Sequence, residues 1–114
     1  MMVKLYGIPN CNKIRNTQKI LDTLGIEYEF VNVRKNPIAR EKLKSIISAV
    51  GIDNIFNTKG TTYRRLNLDY QKMSPGDRFE ALLREQSMIR RPLIEKSGRY
   101  HIGLDDPAIK SFVS

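Results

Sequence analysis

The first third of the chain alternates between two hydrophobic patterns. Residues 3–6 form a short apolar-rich run that Gly7 and Pro9 end, which is typical of a strand. After position 11 the spacing becomes helical, in Ile14, Thr17, Leu21 and Leu24, and Gly25 supplies the stop. Residues 26–33 are rich in aromatic and β-branched side chains, which favours a second strand. The pattern therefore predicts a strand–helix–strand unit with parallel strands and a right-handed crossover.

The remaining two thirds of the chain predict further helices and one hairpin. A helical face follows Asn36-Pro37 and consists of Leu43, Ile46, Ile47 and Val50, with Gly51 as its stop. Residues 54–68 are less periodic and predict short helical turns and a loop. Ser74-Pro75 predicts a helix with a hydroxyl cap and proline in its first turn. Residues 92–95 and 99–102 flank Lys96-Ser97-Gly98 as a hairpin, and Asp106-Pro107 opens a last helix.

This order of elements favours an α/β protein with a thioredoxin-like, mixed four-stranded sheet. The length of 114 residues suits a single domain over residues 1–114, because domains cluster near roughly 100–150 residues. The sequence has one cysteine and one histidine, too few for an internal disulfide or a structural zinc site, so no metal is expected. No apolar run approaches the length of a membrane span, and the first residues are too short and polar for a signal peptide. We therefore expect a cytoplasmic protein that does not contact membranes.

The formal charge of +8 has two interpretations. The basic residues are scattered rather than grouped, which favours an ordinary solvated surface over a binding patch. The sharper alternative is a preference for anionic partners. No recognition helix or arginine-rich arm is apparent, so direct binding to nucleic acid is not expected.

Cys11 is the candidate for chemistry. It lies where the first strand turns into the first helix, and unpaired amides and the positive dipole end at a helix start favour an anion. Arg15 lies one helical turn later on the same face, so both features favour thiolate, the form that acts as a nucleophile. The alternative is a small buried cysteine without chemistry. The polar neighbours Asn10, Asn12 and Lys13 argue against that alternative, and Asn12 is a candidate substrate contact.

Three stretches of the chain resemble the glutaredoxin-coupled arsenate reductase family, which includes the Spx regulators and the small YffB-type proteins. The first is Leu5-Tyr6-Gly7-Ile8-Pro9-Asn10-Cys11 with Arg15-Asn16-Thr17. The second is Asn57-Thr58-Lys59-Gly60-Thr61-Thr62-Tyr63-Arg64-Arg65-Leu66. The third is Ile89-Arg90-Arg91-Pro92-Leu93-Ile94, followed by Ile102-Gly103-Leu104. The resemblance spans nearly the whole chain, with the motifs in the family's order.

The resemblance implies a thioredoxin-like core with a helical insertion at approximately residues 36–90 and a cis proline at Pro92. It also implies that Arg91 points at the cysteine and that the cysteine attacks the substrate before glutathione resolves the adduct. Arsenate reductases of this family bind the oxyanion through three arginines. In this chain only one of these positions has an arginine, which is Arg91. Asn57 and Gly103 stand at the other two positions, and Gly7 stands where those enzymes have a histidine. These departures argue against arsenate as the substrate. The run Asn57-Thr58-Lys59-Gly60-Thr61-Thr62-Tyr63-Arg64 instead resembles the YffB-type branch.

The resemblance therefore implies a glutathione-dependent thiol reductase, with Cys11 as nucleophile and with Arg15 and Arg91 stabilising thiolate and anionic substrate. Lys59, Arg64 and Pro92 are candidate glutathione or anion contacts, and each of the two cations is alternatively a plain surface charge. His101 is expected in the hairpin, as neither ligand nor base. The implied partners are glutathione, glutaredoxin and a small oxyanion or thiol adduct, with no tightly bound cofactor and a monomeric protein. The competing hypothesis is an Spx-like regulator that binds RNA polymerase; most Spx proteins have a Cys-x-x-Cys switch, and here Ile14 replaces its second cysteine.

Overall fold

The computed structural model describes residues 2–114. Its strands are β1 (Val3–Gly7), β2 (Tyr28–Asn32), β3 (Leu93–Lys96) and β4 (Arg99–Ile102). Its α-helices are α1 (Asn12–Thr23), α2 (Arg40–Val50), α3 (Ile52–Ile55), α4 (Thr61–Arg65), α5 (Pro75–Arg84) and α6 (Asp106–Val113). Two 3₁₀ turns, Tyr70–Lys72 and Gln86–Met88, flank α5.

The four strands form one mixed sheet in the order β2-β1-β3-β4. β1 pairs parallel with β2, as the predicted crossover requires, and antiparallel with β3. The hairpin β3–β4 turns at Ser97 and Gly98, both at positive φ. This arrangement confirms the α/β class and the mixed four-stranded sheet.

Each face of the sheet carries its own core because successive side chains of a strand point to opposite faces. Leu5 and Ile94 are fully buried beneath α1 and α6, in a cluster with Ile14, Leu21, Ile109 and Val113. Tyr6 and Leu93 face the other way, into a larger cluster with Leu43, Ile46, Ile55, Leu82 and Met88. The segment between β2 and β3 therefore covers one face of the sheet, and α1 and α6 cover the other.

The helix boundaries follow the predicted stop and start signals closely. Ser74 caps α5 through a capping box, in which its hydroxyl accepts the Asp77 amide at 3.1 Å. The cap of α6 is Asp105, one residue before the predicted start, and its carboxylate accepts the Ala108 amide at 3.1 Å. No helix in residues 2–114 is both long and apolar enough to cross a bilayer.

Candidate active site

Cys11 lies at the junction between the carboxyl end of β1 and the first turn of α1. It is the N-cap residue of α1 with an extended backbone, and its carbonyl oxygen accepts the Arg15 amide at 2.9 Å. The thiol is free and the residue is half-buried. Because the first amides of a helix have no intrahelical acceptor, they present partial positive charge at this end of α1. The thiol therefore lies at the start of a helix, as the sequence predicts.

A cleft of about 210 Å³ opens against the thiol. We call it the thiol cleft; it is lined by Cys11, Asn12, Lys13, Asn57, Arg90 and Arg91. One wall comes from the start of α1. The other comes from the segment between β2 and β3, with Asn57 from its middle and Arg90 and Arg91 from its end. The structure thus brings three distant parts of the chain together around one sulfur.

The cleft is cationic. Within residues 2–114, none of its three cations, Lys13, Arg90 and Arg91, forms an ion pair with a carboxylate. The Arg91 guanidinium donates to the Ser87 carbonyl oxygen at 3.0 Å, and the Arg90 guanidinium donates to the Asn54 carbonyl oxygen at 3.2 Å. Carbonyl partners position a guanidinium without neutralising its charge. The cleft therefore favours an anionic ligand.

A short backbone pairing holds two of these residues in place. Phe56 and Ile89 form an isolated antiparallel bridge. On either side of it the Asn57 amide donates to the Met88 carbonyl at 2.9 Å, and the Arg90 amide donates to the Ile55 carbonyl at 2.8 Å. Since Phe56 and Ile89 are buried, the pairing is anchored in the core, and Asn57 and Arg90 project beside the thiol from a fixed base.

The model of the ArsC family matches residues 6–112, a range that includes both Cys11 and Arg91. The chain belongs to the ArsC family. A global transcriptional regulator Spx from Streptococcus pyogenes serotype M1 is 28% identical over 115 residues, covering 99% of this chain and 86% of the regulator. The alignment therefore leaves part of the regulator unmatched.

Solved structures agree with this family assignment. The YFFB (PA3664) protein is 29% identical with a TM-score of 0.87, covering 98% of this chain and 99% of its own. An arsenate reductase (ArsC) related protein from Brucella melitensis is 27% identical with a TM-score of 0.79, covering 98% and 94%. These likenesses confirm the thioredoxin-like fold of this ArsC-family protein.

The residues predicted from the ArsC-type motifs take different positions around the cleft. Asn12 and Arg91 line it, together with Cys11. Pro92 is buried and does not line the cleft, and the Arg91–Pro92 peptide is cis, as the resemblance implies. Arg15 lies one turn into α1, where its guanidinium hydrogen-bonds the Asn12 side chain instead of lining the cleft.

Lys59 and Arg64 do not line the thiol cleft. Lys59 lines a neighbouring cleft of about 450 Å³ that shares Lys13, Asn57 and Arg90 with the thiol cleft. The Arg64 guanidinium donates to the Lys59 carbonyl at 3.1 Å and lines neither cleft. His101 lies in β4, with its ring nitrogen 2.9 Å from the Gly103 carbonyl oxygen and its ring against Phe112.

Three lining residues were absent from the predicted site: Lys13, Asn57 and Arg90. Asn57 and Arg90 lie inside stretches that resemble the family, and Lys13 lies between the two parts of the first stretch, so the motifs carried a signal for them. What the sequence did not show is which residues of each motif face the sulfur. That depends on the bridge between Phe56 and Ile89, which joins positions far apart in the chain.

Gly7 has no space for a side chain. A Cβ atom built there would lie 2.3 Å from Cδ1 and 2.7 Å from Cγ1 of Ile14. Ile14 is itself buried, with 2% of its surface exposed. Gly7 stands where the arsenate reductases have a histidine, and Ile14 stands where most Spx proteins have a second redox cysteine. In this chain these two residues pack against each other. In this chain that space is part of the core.

Proposed function

We propose that this ArsC-family protein is a glutathione-dependent thiol reductase with Cys11 as its single nucleophile. The observation that supports the proposal is a free, half-buried thiol at the start of α1, which opens into a cleft with three cations that have no carboxylate partner among the described residues. Electropositive, partly exposed surroundings of this kind are typical of nucleophilic cysteines.

The proposed reaction has two disulfide exchanges. In the first, the Cys11 thiolate attacks the glutathione sulfur of a mixed disulfide; the old sulfur–sulfur bond breaks and the substrate leaves as a thiolate. In the second, the thiolate of free glutathione attacks the Cys11–glutathione disulfide, which releases glutathione disulfide and restores the Cys11 thiolate. In sum, the mixed disulfide and one free glutathione thiol become the substrate thiol and glutathione disulfide, so one free glutathione is oxidised in each cycle. The cycle needs no second cysteine in the protein.

Glutathione adducts suit this site better than arsenate does. Asn57 lines the thiol cleft at the position where the arsenate reductases have an anion-binding arginine, and an amide supplies no charge. Gly103, at the other such position, has a φ of 110° and carries no side chain. A tetrahedral oxyanion is held best by several charge-assisted donors. Arg91 alone of the family's three arginines remains.

The decisive experiment measures the mass of the intact protein after incubation with glutathione disulfide. Wild type is expected to gain one glutathionyl group, and added glutathione is expected to remove it. Cys11→Ser, which keeps the size and polarity of the side chain, is expected to gain none. Steady-state turnover of a glutathionylated peptide should follow ping-pong kinetics. Wild type that stays unmodified while a small-molecule thiol control reacts would overturn the proposal.

A second candidate is a regulatory protein that binds RNA polymerase without turnover. The match to the Spx regulator over 99% of the chain favours it. Against it, Ile14 occupies the second position of the Cys-x-x-Cys switch and is buried. A pull-down with purified RNA polymerase separates the two candidates. Retention of the enzyme by both wild type and Cys11→Ser, without adduct formation, would favour the regulator, and no retention would reject it.

A further inference from the structure

A smaller cleft adjoins the thiol cleft and shares Asn57 and Arg91 with it. We call it the Arg34 cleft. Its volume is about 140 Å³, and its other polar side chains come from Arg34, Thr61, Thr62, Tyr63 and Ser87. Ile8 and Met88 supply apolar surface. A group bound here would lie directly beside whatever Cys11 carries.

The guanidinium groups of Arg34 and Arg91 have N–H donors that remain available to a ligand. The side chain of Arg34 makes no hydrogen bond or ion pair within residues 2–114. The described contact of the Arg91 guanidinium is with the Ser87 carbonyl oxygen, and no carboxylate lines the cleft. A guanidinium has five N–H donors, so most of those on this pair remain available.

Hydroxyl groups add neutral donors at the same place. The Thr62 and Ser87 hydroxyls lie 2.9 Å apart in a mutual hydrogen bond, and both residues are half-buried. A hydroxyl can donate to a ligand while it accepts from its neighbour. Two guanidinium groups with adjacent hydroxyls match a planar carboxylate, which accepts several charge-assisted hydrogen bonds.

We propose that the Arg34 cleft binds the glycine carboxylate of a glutathionyl group carried on Cys11. This inference rests on the proposed function. Glutathione has two carboxylates, and the γ-glutamyl one has an ammonium on the same carbon. Two arginines without a carboxylate partner repel that ammonium, whereas the glycine carboxylate is a simple anion. Arg34 is accordingly a specificity-determining residue for glutathione over neutral thiols.

The test compares the rate at which Cys11 gains a glutathionyl group from glutathione disulfide in three proteins, followed by intact mass. Arg34→Gln is expected to lower the rate about tenfold, because it removes a charge-assisted contact. Lys35→Gln is the matched control: it removes the same charge from the next residue, which is exposed and lines neither cleft. Its rate is expected to equal that of wild type.

A second experiment tests the role of the glycine carboxylate by blocking it chemically. When the glycine carboxylates of glutathione disulfide are blocked as ethyl esters, wild type is expected to slow to the rate of Arg34→Gln, and the variant is expected to show no further loss. With the neutral reagent hydroxyethyl disulfide, wild type and both variants should react equally.

The outcomes separate this inference from the proposed function. Equal rates for wild type and Arg34→Gln with glutathione disulfide would overturn the assignment of the cleft and leave the thiol chemistry intact. An equal loss in Lys35→Gln would show a general charge effect and would also overturn the assignment. Wild type that forms no adduct would overturn both proposals.

Discussion

At the scale of single residues, Gly7 is fixed by space rather than by backbone conformation. Replacing it with alanine would bring Cβ to 2.3 Å from Cδ1 of Ile14, inside a closely packed core. We expect Gly7→Ala to lower the free energy of unfolding by about 1–3 kcal/mol, as overpacking does. Urea denaturation at neutral pH measures the change.

A double-mutant cycle shows whether Ile14 is the cause. Valine lacks Cδ1, so Gly7→Ala should cost less in the Ile14→Val background than in wild type. Gly76→Ala is the control, because its Cβ would find nothing nearer than 3.9 Å and the glycine lies inside α5. That change should be neutral or stabilising. Equal costs of Gly7→Ala in both backgrounds would contradict this account.

The sequence predicted the position of Cys11 in the site correctly but not the contact made by Arg15. The place of Cys11 follows from local signals, a strand end and a helix start, and these can be read in one stretch of chain. Arg15 was expected at the anion because it lies one turn away on the same face, but its guanidinium bonds the Asn12 side chain instead. Spacing on a helix defines a face and leaves open which neighbour a long side chain contacts.

At the scale of elements, the Gln86 side chain joins two segments that lie far apart in sequence. Its amide nitrogen donates to the Ile38 carbonyl at 2.8 Å, and its amide oxygen accepts the Ile38 amide at 2.7 Å. Both residues are buried. The pair fastens the segment before α2 to the 3₁₀ turn that leads to Arg91.

Loss of this side chain should therefore be costly. Gln86→Ala leaves a buried N–H and a buried carbonyl of Ile38 without partners, and we expect a loss of about 2–4 kcal/mol of unfolding free energy. Thermal and urea unfolding measure it. Gln71→Ala, at an exposed glutamine, is the control and should change stability by less than about 0.5 kcal/mol. A loss no greater than that of the control would show that the amide pair does not stabilise the fold.

Elements with strong local signals were predicted well from the sequence. The hairpin, the capped start at Ser74 and the stop at Gly51 depend on turn and cap residues next to the element they bound. Residues 54–68 were expected as short turns and a loop, and α4 lies within them. The 3₁₀ turn Tyr70–Lys72 was not predicted. Tertiary contacts determine it, since the Tyr63 hydroxyl accepts the Tyr70 amide and Arg78 donates to the Tyr70 carbonyl.

At the scale of the whole molecule, a polar network joins the sheet to α2, one of the helices that cover it. The Tyr6 hydroxyl donates to one oxygen of Glu95 at 2.6 Å, and the Lys42 ammonium donates to the other at 2.8 Å. Burial raises the pKa of the Glu95 carboxyl, but the hydrogen bonds from Lys42 and Tyr6 outweigh it, so the pKa lies below the ordinary 4.5. Burial, together with the bond to Glu95, raises the pKa of Tyr6 above its ordinary 10.0.

These two pKa shifts predict a loss of stability at low pH, through Glu95, and another at high pH, through Tyr6. Glu95 binds its proton less readily in the folded state, so its contribution is complete above pH 4.5 and is lost as the pH falls through the lowered folded value. Tyr6 holds its proton more firmly when folded, so its contribution is lost as the pH rises above 10.0. We expect Glu95→Gln to be less stable than wild type at neutral pH and the difference to shrink below pH 4.5.

Urea midpoints of the two proteins from pH 7 to pH 3 measure this convergence. The matched control is Glu27→Gln, at an exposed carboxylate on the loop before β2, which should show no comparable convergence. Parallel curves for wild type and Glu95→Gln would mean that the lowered pKa of Glu95 does not contribute to stability.

The sequence predicted the sheet and its class but not this network or the complete site. Strand order follows from the parallel crossover and the hairpin, which short-range patterns reveal. The approach of Lys42 on α2 to Glu95 on β3, and of Asn57 to Cys11, depends on how the segment between β2 and β3 folds back on the sheet. No local periodicity encodes that docking.

The bridge between Phe56 and Ile89 closes the chain between them into a lobe whose two ends meet beside the sulfur. Exposed residues of this lobe, such as Gln71 and Lys72, take no part in the pairing from which Asn57 and Arg90 project. Substitutions at such positions can therefore change the outer surface of the lobe while the residues that line the thiol cleft keep their places.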